Sequence, residues 1–163
     1  MDTSIAVLEE KYITFKIYDY LLALPVNSVF KVTTCPPDFS QTLQNSKLAQ
    51  MGQRTVMLIN LYSYLDPNYN RNQQNDNIGR FLIISQGQNA EFYGILADTP
   101  PSMLSISDTS IQPVPQSFHS IGLPTWVSKI AIIEQKGTPT TILMLDINQN
   151  FSNKALDMAP NYR

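Results

Sequence analysis

Charge is scarce in this chain. Only 15% of its 163 residues are Asp, Glu, Lys or Arg, against roughly a quarter in typical globular chains, so the polar surface must be built mainly from Asn, Gln, Ser and Thr. The net charge of −2 and pI near 5.2 argue against a nucleic-acid binder, which needs a basic stripe for phosphates. One cysteine, Cys35, cannot form an intramolecular disulfide, and one histidine, His119, cannot complete a zinc site with it at any usual spacing. No stretch approaches the roughly 20 apolar residues of a membrane helix. The opening MDTSIAVLEEKY is acidic where a secretory leader needs a basic region and an apolar run. A reducing, cytoplasmic setting without membrane insertion is expected. GxGxxG, GxxxxGK[ST], GxSxG and HExxH are all missing, which leaves phosphate cradles, nucleophile elbows and zinc helices unsupported. The expectation is a protein with no enzymatic activity, no catalytic residues, no metal, no cofactor and no nucleic-acid partner.

What the chain does have is apolar material in short pieces. Hydrophobic residues make up 43% of it, enough to bury a core. They fall into strand-length runs rich in β-branched and aromatic residues: YITFKIY (12–18), YLLALPV (20–26), VFKV (29–32), TVMLINL (55–61), RFLIIS (80–85), EFYGILA (91–97), KIAIIEQ (129–135) and TTILMLDI (140–147). Most are separated by Gly, Pro, Asn or Asp, and eleven prolines disfavour long helices, so the fold class is all-β. One or two short helices are expected. The clearer is DFSQTLQNSKLAQMG, with Asp38 as N-cap, Gly52 as terminator and Phe39, Leu43, Leu48 and Met51 as an apolar stripe; the weaker is SNKALDM after Phe151. The polar segment PNYNRNQQNDNIG (67–79) reads as an exposed connecting loop.

The two sides of that loop resemble each other. KYITF matches RFLII 69 residues on, ALPVNSVFKV matches GILADTPPSM 71 residues on, and TVMLINL matches TILMLDI 86 residues on, in the same order. Duplication of a small β unit accounts for this. It predicts one domain over 1–163 made of two curled sheets of about five strands, about 16–79 and about 80–150. Each would bury one face inside itself and seal against its twin, leaving a seam where binding grooves tend to lie.

Candidate chemistry is thin. His119 lies beside Ser117 and Ser120, with Asp98 or Asp108 as imaginable triad partners, but no elbow sharpens a serine and the surface-histidine reading stands beside it. Cys35 would need a base to become a nucleophile; otherwise it is a small half-buried residue before a turn. Asp98, at a strand end before Pro100, suits a turn carboxylate that bonds backbone amides better than a metal ligand. Asn150-Phe151-Ser152 has the form of a glycosylation acceptor and is read as chance. Tyr12, Phe15, Tyr18, Tyr20, Tyr62, Tyr64 and Tyr69 are enough aromatics for a base-stacking platform, but with few cations nearby they suit core packing better.

The order of segments resembles CheW-like domains. YITFKIYDYLLALPVNSVFKV is similar to the family's opening strand, Ala-Leu-Pro-Val and Val-x-x-Val; MGQRTVMLINLYSYL to its Arg-Gly turn and buried strand; EFYGILADTPPSMLSISDTSIQPVP to its Gly-led strand ending in Asp with Ile-x-Pro-x-Pro downstream; and LPTWVSKIAIIEQKG with TTILMLDI to its last hairpin. The likeness runs from about Tyr12 to Ile147. It implies two SH3-like five-stranded β-barrel subdomains and a non-enzymatic adaptor coupling chemoreceptor-like sensory proteins to the regulatory domain of a CheA-type histidine kinase. A stand-alone β-barrel module for peptide or single-stranded nucleic acid is the alternative. Carried over by position, the partner groove would involve Val29, Lys31, Met51, Phe81 and Leu82. Met51 stands where the family usually has Arg before Gly52, Asn60 stands for the usual Asp, and Lys31 occupies a commonly acidic place, which marks a diverged member.

Overall fold

The computed structural model describes residues 8–35, 48–59, 61–65, 81–87, 91–116 and 127–146. In chain order the strands are β1 (Glu9–Ile17), β2 (Tyr20–Pro25), β3 (Val29–Thr34), β4 (Leu48–Met51), β5 (Arg54–Ile59), β6 (Phe81–Gln86), β7 (Phe92–Ala97), β8 (Ser102–Ser107), β9 (Ile111–Pro113), β10 (Val127–Gln135) and β11 (Thr138–Leu145). Between them, a helical turn covers Tyr62–Leu65 and 3₁₀ turns cover Val26–Ser28 and Asp108–Ser110. Among the described residues no helix is long and apolar enough to cross a membrane. The all-β expectation holds.

Two mixed sheets result, a six-stranded one in the order β8-β1-β2-β11-β10-β9 and a five-stranded one in the order β3-β6-β7-β5-β4. Exchange β1 with β6, β2 with β7, β3 with β8, β4 with β10 and β5 with β11, and the second order becomes the first, with β9 as an added edge strand. The senses follow: β5 runs parallel to β7 as β11 does to β2, and the other corresponding pairs are antiparallel. The repeat is therefore a repeat of topology. Each sheet takes strands from both halves, because the first hairpin of each half (β1-β2, β6-β7) sits in the middle of the sheet completed by the other.

Register corrects one detail of the sequence alignment. Met57, Leu58 and Ile59 of β5 face Tyr93, Gly94 and Ile95, as Leu143 and Met144 of β11 face Leu22 and Ala23, which keeps the spacings of 86 and 71. Ile13 pairs with Leu24 and Met103, whereas Ile83 pairs with Ile95 and Val32, so β1 and β6 stand 70 residues apart and not 69. With that shift the exposed Lys16 matches the exposed Gln86.

The apolar runs are continuous because both faces of the central strands are buried. Leu22 and Leu24 of β2, Leu143 and Leu145 of β11 and Phe15 and Ile17 of β1 join the main core with residues of the other sheet, such as Leu58, Leu82 and Ile95. The alternate residues Ala23, Ile142, Met144 and Tyr12 join Ile106 and Ala131 in a second core inside the six-stranded sheet. Phe15 and Tyr62 are thus core residues and Tyr12 is 7% exposed, while Tyr20 remains on the surface. Tyr69 and the loop at 67–79 lie outside the described residues.

Two expectations are corrected. Leu48–Met51, assigned to the end of a helix, is strand β4, and Gly52 with φ of 61° turns the chain into β5. The rest of that expected helix, and SNKALDM, lie outside the described residues. Strand β8 was not among the expected runs, since its apolar residues alternate with Ser102, Ser105 and Ser107 along a sheet edge.

One core position is poorly matched. Ser85 has no exposed surface and its Oγ has no hydrogen-bond partner, at the place where the other half has Phe15. An unpaired buried hydroxyl costs about 1–3 kcal/mol, so Ser85→Ala is expected to stabilise the protein by roughly 1 kcal/mol in urea unfolding. A loss of stability would mean that the hydroxyl is engaged.

Candidate functional site

The five-stranded sheet curls so that all five strands contribute to one groove of about 470 Å³. Its floor is Val56 and Ile84; its rim is Phe30 and Lys31 on β3, Gln50 and Met51 on β4, Gly52 at the turn, Arg54 on β5 and Phe92 on β7. The flanking strands β3 and β4 are the two edges of the sheet.

Local sequence explains the rim. The β3-β6 register shifts between Val29 and Lys31, which leaves Phe30 as the bulged residue, 47% exposed. Bulges re-aim a side chain out of the ladder. The two-residue turn Gly52-Gln53 sets Met51 directly opposite Arg54, and Gly supplies the positive φ without steric cost. Gln50 is pinned by its own neighbours: its Nε2 donates to Gly52 O at 3.2 Å and its Oε1 accepts from Thr55 Oγ1 at 3.0 Å.

Arg54 carries the electrostatics. Its guanidinium carbon sits 4.5 Å from the Phe30 ring centre and 4.9 Å from that of Phe92, and the two rings meet edge to face at 5.2 Å. Stacking on two phenyl faces contributes about 0.5–1 kcal/mol per ring at an exposed site. The groove is apolar with two cations, Lys31 and Arg54, and no carboxylate among its lining residues.

The five residues carried over from the resemblance are distributed unevenly. Lys31 and Met51 lie together in the groove. Val29 is half-buried beside Phe30 and packs on the core. Leu82 is 0% exposed and lies beneath the floor, 3.1 Å from where a Cβ on Gly94 would sit. Phe81, at the far end of β6, pairs with Thr34 and Ala97 and packs on the core three residues from Ile84. Sequence reasoning missed Phe30, Arg54 and Phe92, although the Gly52-Gln53 hairpin, once recognised, places Arg54 across from Met51.

The remaining candidates have structural settings. Asp98 accepts from the Tyr18 amide at 2.8 Å and from the Tyr62 hydroxyl at 2.5 Å, the turn-carboxylate behaviour expected of it, though the turn is 80 residues away. Burial pushes the Cys35 thiol up to about 11, opposite to what a nucleophile needs. Tyr12 is raised from its ordinary range by burial first and by Glu10 second. Asp108 opens a 3₁₀ turn, while Ser117, His119, Ser120, Asn60 and Asn150 lie outside the described residues. Among the described residues no cluster of three or more His, Cys, Asp or Glu could hold a metal ion.

Residues 11–155 match the family model of the CheW-like domain. The fold is similar to that of the scaffolding protein TtCheW from Thermoanaerobacter tengcongensis, with a TM-score of 0.61 and 17% sequence identity over 86% of this chain and 91% of that one. No curated protein matches the sequence. The structural likeness speaks for the fold, and the family match spans most of the chain: this protein belongs to the CheW-like domain family.

Proposed function

We propose that the protein is a non-enzymatic scaffold adaptor that couples a chemoreceptor-like sensory protein to the regulatory domain of a CheA-type histidine kinase. The family match over residues 11–155 carries this reading, and the apolar groove bounded by the two outermost strands of its sheet gives it a docking surface. An adaptor needs complementary surfaces and no chemistry; the raised Cys35 thiol and the occupied oxygens of Asp98 accord with that. The sensory partner would seat in the groove against Phe30, Lys31 and Met51, with Val29, Phe81 and Leu82 supporting it from the core.

Titration with the kinase regulatory domain and with a receptor tip fragment tests the pairing. Absence of binding to both at concentrations on the order of 100 μM, equivalent to roughly −5.5 kcal/mol, would sink the proposal. Phe30 is exposed and aromatic, the kind of residue that dominates interface energetics. Phe30→Ala is therefore expected to weaken the receptor fragment by roughly tenfold or more while lowering the melting temperature by only about 2–4 °C, the loss of its contacts with Arg54 and Phe92. Equal affinity for a folded Phe30→Ala variant would move the partner site elsewhere.

A further inference from the structure

We propose that the groove binds a protein segment presenting a carboxylate between apolar side chains, and that Arg54 is the residue that reads the carboxylate. This rests on the groove being the partner site and names the chemistry of its occupant. The guanidinium carbon lies over the Phe30 and Phe92 rings, 4.5 and 4.9 Å from their centres, a contact that gives none of its N–H donors an oxygen acceptor. No hydrogen bond or ion pair joins those donors to any described residue. The cation is thus oriented in advance and has no carboxylate partner among the described residues, which lowers the ordering cost of a bidentate pair with an incoming carboxylate.

The duplicated half shows that the fold does not require this arrangement. By the registers above, the counterparts of Arg54 and Phe92 are Thr140 and Leu21 on corresponding strands of the other sheet, while Phe30, bulged out of its ladder, corresponds by sequence spacing to Pro101, just before β8. The same topology forms there without a cation or an aromatic ring at any of the three positions. The set belongs to one mouth of a pseudo-symmetric molecule, as a recognition device would.

A peptide fits better than a nucleic acid. The floor of Val56 and Ile84 asks for apolar side chains, and two cations on a chain of net charge −2 make no track for successive phosphates. Lys31, on the bulged edge, supplies a second cation for an acidic residue nearby.

A phage-displayed library of random short peptides panned against the full chain tests this, keeping peptides retained by wild type and lost by Phe30→Ala. The recovered sequences are expected to share an Asp or Glu flanked by apolar residues. In titrations, changing that acid to its amide should weaken binding to wild type about ten- to a hundredfold, and should change binding to Arg54→Gln little, the signature of a coupled pair. Arg54→Lys should recover part of the affinity. Recovered peptides without an acidic residue, or an equal acid-to-amide loss on wild type and Arg54→Gln, overturn the proposal while leaving the groove intact. Peptide binding indifferent to Phe30→Ala would instead defeat the groove reading itself. An oligothymidylate that binds more tightly than any peptide and loses affinity in Arg54→Gln would overturn the proposal in favour of nucleic acid.

Discussion

Gly94→Val is expected to lower the melting temperature by roughly 6–12 °C, from about 3 kcal/mol of overpacking, and to weaken binding at the groove. Gly94 sits on β7, between Ile84 of β6 and Leu58 of β5. A Cβ there would lie 2.9 Å from Leu58 Cδ2 and 3.1 Å from both Leu82 Cδ1 and Val56 Cγ1. Those side chains are buried, and Val56 is also the groove floor. Two effects compete. A glycine inside a strand costs roughly 0.5–1 kcal/mol against a residue with a side chain, so at an open site substitution would help. Here the clash exceeds that gain, because interiors at crystal-like density resist displacement. The other half supports the assignment, with Ala23 at the matching place and 0% exposed: a strongly curled sheet leaves room for little on the concave side of its central strand. A thermal melt of Gly94→Val beside Gly94→Ala checks it. Alanine should fall between wild type and valine, and a valine variant that melts with wild type would show that the three side chains yield freely.

Asp98→Ala is expected to cost about 2–4 kcal/mol, read as a lower urea midpoint. Asp98 directly follows β7 of the five-stranded sheet, yet its carboxylate holds the turn between β1 and β2 in the other. That turn is strained: Tyr18 has φ of 53°, uncommon for a bulky residue. Three contacts hold it there. Its amide donates to Asp98 Oδ2 at 2.8 Å, Lys16 O accepts from the Asp98 amide at 2.9 Å, and its ring meets Tyr62 edge to face at 5.2 Å. The Tyr62 hydroxyl, buried in the core, donates to the second oxygen of the same carboxylate. Removing the carboxylate takes an ionic acceptor from two donors at once. Asp98→Asn, which keeps one acceptor oxygen, should lose less. A midpoint unchanged in Asp98→Ala would show that the turn is held by packing alone.

The legible part of this fold was local. Alternation and β-branched composition placed β1, β2, β3, β5, β6, β7, β10 and β11, since strands buried on both faces write themselves as uninterrupted apolar runs. β4 was misread because Leu48 and Met51 are spaced for a helix as well as for a short edge strand, and periodicity over four residues cannot separate the two. β8 was missed because an edge strand with one exposed face needs few apolar residues. At the site, Lys31 and Met51 were within reach of sequence reasoning, because the order of segments carried them. Phe30, Arg54 and Phe92 were not. They are far apart in the chain, and they meet only because a bulge turns Phe30 outward, a tight hairpin presents Arg54, and the curl of the sheet carries β3 toward β5 and β7.

By itself, the sequence determined most of the strand content, the family and the presence of a repeated unit, all of which depend on residue type and order along the chain. Tertiary structure alone decided how the halves exchange hairpins between sheets, which strands lie at the edges, and where a cation is set over two aromatic rings. The reason is physical: side-chain alternation is encoded within a strand, whereas sheet order is set by hydrogen bonds and packing between strands distant in sequence, which single-chain periodicity does not record.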